Sequence, residues 1–443
     1  MHPRHRATAI VAATVAATTL GVSAAIAVPA KPADPQPGGS SLPRAVPAAG
    51  TFYPTPVARL LGGPDAGYAV QPGSAATVAA AGQSGLPSSG VSAVVVNVVA
   101  VAGPADAALS FGPTGSAGPP PLLVAPAGTT RSALLTLPLA AAGSLDVTTT
   151  AAAAVQVDLV GFYAADDTVL GSSGVSGGYQ PVDVTRIYDT DTAQPLAAGA
   201  RQVLAVDLGT AASPHTTALL VRATAKGAQA TGTLTVGSAV AAVPSVPFVT
   251  GAPASNLAVV PTTAAADGRL DVAVTNASPG ATGVTLDLVG FYDDGALGPN
   301  LRFRPLPQTR VVDTTAGVGT TALQPGRRAT VTPGEGVVGD STFGLVGVVT
   351  ATPGGAPAGL DVEASDASPS ADVEVAAGAS SVAVQPEVGA ARGVGMQVRA
   401  GSPATEVTMD VTGSFEAYPP VTNPAARGWV PPVSGWQVSA EPR

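Results

Sequence analysis

The chain has 443 residues, no cysteine, 11% charged and 4% aromatic residues, and a formal net charge of −9. The missing cysteines exclude disulfide staples and thiolate chemistry, so each domain must hold itself together by burial. The acidic balance disfavours nucleic acid and anionic lipid as partners, and the wealth of Ala, Val, Thr, Gly and Pro favours short strands and turns over helices.

The chain opens MHPRHR and then runs without a charge from Ala7 to Ala27. A short basic stretch, an apolar run and the small-residue pattern at Ala25 and Ala27 predict a secretory signal over residues 1–27, cleaved after Ala27. Ala30 is the fallback cleavage site, and an uncleaved anchor helix is the alternative. Loss of Arg4 and Arg6 takes the formal charge to −11. Residues 28–48 form a Pro/Gly/Ser-rich linker. No later run is long and apolar enough to span a bilayer as a helix, so the expected product is secreted or associated with the cell wall, without stable membrane insertion.

The remaining chain repeats itself. Arg59-Leu60-Leu61-Gly62, Arg186-Ile187-Tyr188-Asp189-Thr190 and Arg310-Val311-Val312-Asp313-Thr314 each open a unit, and VQVDLVGFY, VTLDLVGFY and VTMDVTGSF, ending at Tyr163, Tyr292 and Phe415, each close one. Between them lie a QPG- or AAG-type turn, a Val-rich strand such as SAVVVNVVAVAG, and a strand beginning GSLDV, GRLDV or GVGMQV. Period-two patterning with regular turn signals predicts an all-β fold of three tandem β-sandwich-like repeat domains, over 49–165, 178–294 and 301–418. A Pro/Trp-containing tail occupies 419–443. The period is too long for a β-helix or propeller repeat, while closure of the copies into one pseudo-threefold body is the lesser alternative. The Ser/Gly-rich linker at 166–177 predicts an independently moving first domain, and the shorter linker at 295–300, stiffened by Pro299, predicts a more rigid pairing of the second and third.

These opening and closing motifs resemble repeats common in exported and cell-surface proteins of actinobacteria, found alone, in tandem or beside wall-acting enzyme domains. The resemblance covers nearly the whole mature chain and implies no settled biochemical activity. Gly62 departs from its opening aspartate, Asp191 and Thr315 replace the arginine that commonly follows Asp-Thr, and Ser414-Phe415 departs from the closing Phe-Tyr.

An aspartate amid Val and Leu is costly to bury unless it is paired. Each unit supplies one partner, giving structural clasps Arg59/Asp158, Arg186/Asp287 and Arg310/Asp410 between adjacent first and last strands. Strict alternation through VQVDLVGFY would put Val155, Val157 and Leu159 on one face, and Asp158, Val160 and Phe162 on the other. One carboxylate per unit lacks the oxygen cluster that calcium requires. Asp189/Asp191 and Asp293/Asp294 match no established calcium loop, and Asp166-Asp167 reads as solvated linker. His215, the one histidine beyond the signal, reads as a surface residue. Candidate ligand contacts are Phe162, Tyr163, Phe291, Tyr292, Trp429 and Trp436, the tryptophans either presenting a surface or folding back onto the third unit. Asn276-Ala277-Ser278 matches a glycosylation sequon, read as coincidental. The expectation is a non-catalytic cell-envelope spacer or interaction module with no cofactor, its partner a wall polysaccharide or envelope protein. A carbohydrate-binding protein is the runner-up, followed by a secreted hydrolase.

Overall fold

The computed structural model describes residues 48–63, 67–116, 118–169, 176–191, 194–238, 241–367, 373–420, 436 and 438–442. The expected signal peptide, nearly all of the first linker and Trp429 lie outside them. The described chain is all-β: its regular elements are antiparallel strands and two 3-10 turns. Among these residues no helix is long and apolar enough to cross a membrane.

Each of three successive segments begins with an opening strand, at Phe52–Leu61, Tyr179–Asp189 and Asn300–Asp313. It pairs with the closing strand of the same segment, at Ala153–Ala164, Gly283–Asp293 and Thr405–Tyr418. The closing strand then pairs with the Val-rich central strand, at Val91–Ala102, Thr216–Lys226 and Thr342–Pro353. An edge strand completes the row, at Thr130–Pro138, Ala254–Pro261 and Ser380–Val384. Ser144–Thr149, Leu270–Asn276 and Val394–Val398, the strands marked by GSLDV, GRLDV and GVGMQV, lie in separate sheets that cover these rows. A sandwich core fills the space between each row and its cover.

The inner rows bury apolar side chains on both faces. Val94, Val96 and Val98 enter the first sandwich core, while Ala93 and Val95 face a fourth core shared by all three segments. A strand covered on both sides has no reason to alternate with polar residues, which is why SAVVVNVVAVA is nearly all apolar, its interior broken by Asn97 opposite Asp158.

The closing motif owes its geometry to a bulge. The central-strand register jumps from Val95↔Gly161 to Val96↔Leu159, leaving Val160 as the extra residue, and the same step occurs around Val289 and Thr412. One additional residue inverts the alternation beyond it. Phe162 and Phe291 therefore return to the sandwich cores, whereas Tyr163 and Tyr292 enter the shared one. This corrects the strict alternation expected from sequence, which put Phe162 and Asp158 on one face. The motif glycine is demanded locally: a Cβ on Gly161, Gly290 or Gly413 would lie 2.3, 2.3 or 2.1 Å from the ring or hydroxyl of Phe52, Tyr179 or Phe303.

The segments from residue 47 onward belong to one compact unit, joined by contacts that recur in a cycle. Ser132 of the first segment donates to the Ser245 carbonyl of the second at 2.5 Å, Ser255 of the second accepts from Glu374 N of the third at 2.9 Å, and Ser381 of the third accepts from Val124 N of the first at 3.0 Å. The inner rows of the second and third segments also join through Tyr179↔Leu301. The expectation of a freely moving first domain is corrected accordingly, because its inner sheet is buried against the other two segments. Composition of the linker reports chain flexibility, but not the apolar area waiting on either side of it.

Candidate functional site

The repeated residues converge in the interior. Arg59 faces Asp158 in register, as Arg186 faces Asp287 and Arg310 faces Asp410. Their Nε to Oδ1 distances are 2.5, 2.6 and 3.1 Å, and Nη2 of each arginine reaches the second carboxylate oxygen at 3.3, 3.4 and 2.9 Å. The fork also reaches beyond the pair. Arg186 and Arg310 donate to Asp189 and Asp313 three residues on, and Arg59, whose segment has Gly62 at that position, donates to the Gly63 carbonyl instead. Burial disfavours the charged form of Arg186, but hydrogen bonds and charge from Asp287 and Asp189 outweigh it and raise its pKa. For Arg310 the bond from Asp410 leads the same upward shift.

Six aromatic rings meet where the inner sheets face one another. Phe52 of the first segment lies 4.2 Å from Tyr292 of the second, Tyr179 of the second 4.7 Å from Phe415 of the third, and Phe303 of the third 4.2 Å from Tyr163 of the first, centroid to centroid. Tyr163 and Tyr292 share a hydrogen bond between hydroxyls at 2.7 Å, and Tyr179 donates to the Val289 carbonyl at 3.1 Å. The Phe415 departure from the closing pattern places a ring without a hydroxyl beside this satisfied pair. Tyr163, Phe162, Phe291 and Tyr292 are at most 2% exposed, which corrects their assignment as ligand contacts: motif aromatics at a strand end are here core residues.

Burial raises the pKa of Tyr163, Tyr179 and Tyr292, with additional upward pushes from Tyr292 on the first two. Folding therefore favours their protonated phenols, so this stabilisation is complete below the ordinary tyrosine value of about 10 and is lost above it as the unfolded state ionises. In an alkaline titration followed by tyrosinate absorbance and circular dichroism, these three are expected to ionise only as the β signal collapses. Ionisation of all seven tyrosines with the β signal intact would contradict the buried cluster.

The other candidates have local partners. Asp189 and Asp191 pair with Lys226. Asp293 accepts from Gly178 N, Gly295 N and Gln180 Nε2. Asp166 accepts from Thr168, and Asp167 from Ala48 N. Asn276 is fully buried, its amide donating to the Leu196, Ala197 and Gly280 carbonyls. Trp436 stands edge-on to Phe291, 6.1 Å between centroids, and Ser439–Pro442 pairs with Arg201–Asp207. The described residues of the tail, 436 and 438–442, thus lie against the second segment, not the third. Among the described residues no group of three or more His, Asp or Glu could hold a metal ion.

A second bulge opens the surface between segments. Residues 55–57 oppose one closing-strand residue, as do 182–184 and 306–308. Each protruding loop leans over the next segment and leaves a cleft: about 770 Å³ between first and second, 100 Å³ between second and third, and 470 Å³ between third and first. The smallest is lined by Asp183, Glu363, Glu387 and the buried Arg222. Although part of Glu387 reaches solvent, the enclosure of its carboxyl, then Asp183, Asp366 and Glu363, push its pKa up to about 7. A raised carboxyl stabilises the fold below the unfolded value near 4.5 and loses that contribution as pH rises through 7. Glu387→Gln is therefore expected to flatten the decline in melting temperature over that interval; an unchanged slope would contradict this assignment.

These features were missed from sequence, although one signal was available. An aromatic stands seven residues, and a proline five residues, before each opening arginine: Phe52 and Pro54, Tyr179 and Pro181, Phe303 and Pro305.

No protein-family model matches the chain, and no curated protein matches it. Among solved structures, a chain from the work titled "Life in the extremes: atomic structure of Sulfolobus Turreted Icosahedral Virus" aligns at 9% identity over 78% of this chain and 85% of that one, with a TM-score of 0.14. A score of that size carries no argument.

Proposed function

We propose that this is an exported, non-catalytic protein of the cell envelope that acts as an interaction module. The observation that carries the reading is where the repeated motifs are used. The three Arg–Asp pairs and the motif aromatics Tyr163, Tyr292 and Phe415 serve cohesion between strands and segments, so the repetition maintains a rigid body whose surface can vary between segments. Export rests on the basic and apolar character of residues 1–27. A glycan-holding form of this module is favoured by the wide cleft between the first and second segments, whose rim mixes hydroxyl, carboxylate and imidazole groups.

Sedimentation with purified cell walls tests the module. The mature chain is expected to pellet with the walls and to be released by soluble wall fragments. Recovery in the supernatant at all protein concentrations would leave a non-binding spacer in its place.

A further inference from the structure

We propose that the cleft between the first and second segments is a binding site for a neutral, polyhydroxylated chain, a glycan; this rests on the glycan-holding form of the module. The three intersegment clefts are built from the same bulge, so their differences lie in side chains. The third-to-first cleft is walled by Phe111, Pro119, Leu137 and Leu306, and none of its described lining residues is ionisable. The second-to-third cleft is small and acidic. The first-to-second cleft is the largest of the three and the more polar of the two large ones: it gathers His215, Asp271, Asp294 and several hydroxyls, where the third-to-first cleft sets Ser116, Gln308 and Thr412 among mostly apolar walls.

His215, at the end of the 3-10 turn Ser213–His215, has Nδ1 2.9 Å from Oδ2 of Asp294. That contact orients the ring and leaves Nε2 as the nitrogen for a ligand, with 41% of the side chain exposed. Thr217 Oγ1 donates to the Tyr292 or Asp293 carbonyl at 3.1 and 3.2 Å, keeping lone pairs to accept a ligand hydroxyl. Thr55, on the protruding loop, is 7% exposed, and its Oγ1 has no hydrogen-bond partner. Pro54, Pro56 and Pro261 supply apolar walls for the carbon–hydrogen faces of a sugar ring.

The same prolines argue against an added peptide strand. Without N–H groups at positions 54, 56 and 261, the cleft backbone cannot offer the regular ladder on which strand addition depends. Among the described residues no lysine or arginine lines the cleft, and Asp294 already faces His215, so the described site offers no cation for an anionic ligand.

Isothermal titration of the mature full-length chain with tetrasaccharides of β-1,4-N-acetylglucosamine, β-1,4-glucose and α-1,4-glucose tests the site. Saturable binding of at least one is expected, weakened tenfold or more by both His215→Ala and Asp294→Asn, and unchanged by Gln308→Ala in the third-to-first cleft. Melting curves identify any variant that has lost its fold; Thr217→Val then provides the second readout, with the same loss expected. No binding by any of the three sugars, or binding indifferent to His215, Asp294 and Thr217, overturns the assignment. Continued sedimentation with walls despite that result would retain the module and discard only this site, whereas wild-type protein that fails to sediment would remove the module itself.

Discussion

Replacing Asp287 with alanine is expected to destabilise the chain by about 3–5 kcal/mol, the range for removing one member of a buried ion pair. The Asp287 side chain is 4% exposed and lies in the closing strand, between Arg186 on the opening strand and Arg222 on the central strand. Arg186 is 36% exposed and retains Asp189, so it can relax toward solvent. Arg222 is only 3% exposed and loses a facing carboxylate. Asp158 and Asp410 have Asn97 and Val348 in the position of Arg222, so Asp158→Ala and Asp410→Ala should cost less than Asp287→Ala. Arg186→Ala should also be severe, because it deprives a buried carboxylate of its two-pronged donor. Urea denaturation gives the comparison directly: a loss below about 1 kcal/mol for Asp287→Ala would mean that the pair contributes no more than a surface bridge.

Tyr163→Ala is expected to cost about 3–5 kcal/mol as a large-to-small change in a packed core. Its ring is stacked on Phe303 of the third segment, and its hydroxyl meets Tyr292 of the second. The truncation consequently leaves a void among all three segments and deprives a buried hydroxyl of its partner. Its diagnostic consequence is cooperative: calorimetry should show the unfolding of the whole body moved to lower temperature. A separate low-temperature transition assignable to the first segment, with the rest unchanged, would show that the aromatic core does not couple the segments.

The strands were legible because β-branched residues, turn glycines and repeated spacing agree across the chain. The Arg/Asp juxtapositions were legible for a simpler reason: an aspartate inside VQVDLV needs a counter-charge, and each segment provides a matching arginine. The fate of the aromatics was hidden by the bulge at Val160, Val289 and Thr412, since one inserted residue reverses which side chain faces inward. The linkers misled in a different way. DDTVLGSSGVSGG describes the freedom of a tether, whereas the buried faces of Val95, Leu220 and Val346 decide whether the tethered parts associate. Divergence among the clefts was invisible too, because residues 55–57 and 261–264 meet only after two segments have packed.

Small-angle X-ray scattering of the chain from Ala48 onward tests the closed three-segment body most directly. A compact particle of this length is expected to have a radius of gyration of about 21 Å, with one globular maximum in its distance distribution. A much larger radius, with resolved interlobe distances that change with ionic strength, would contradict closure and restore a string of independently moving domains.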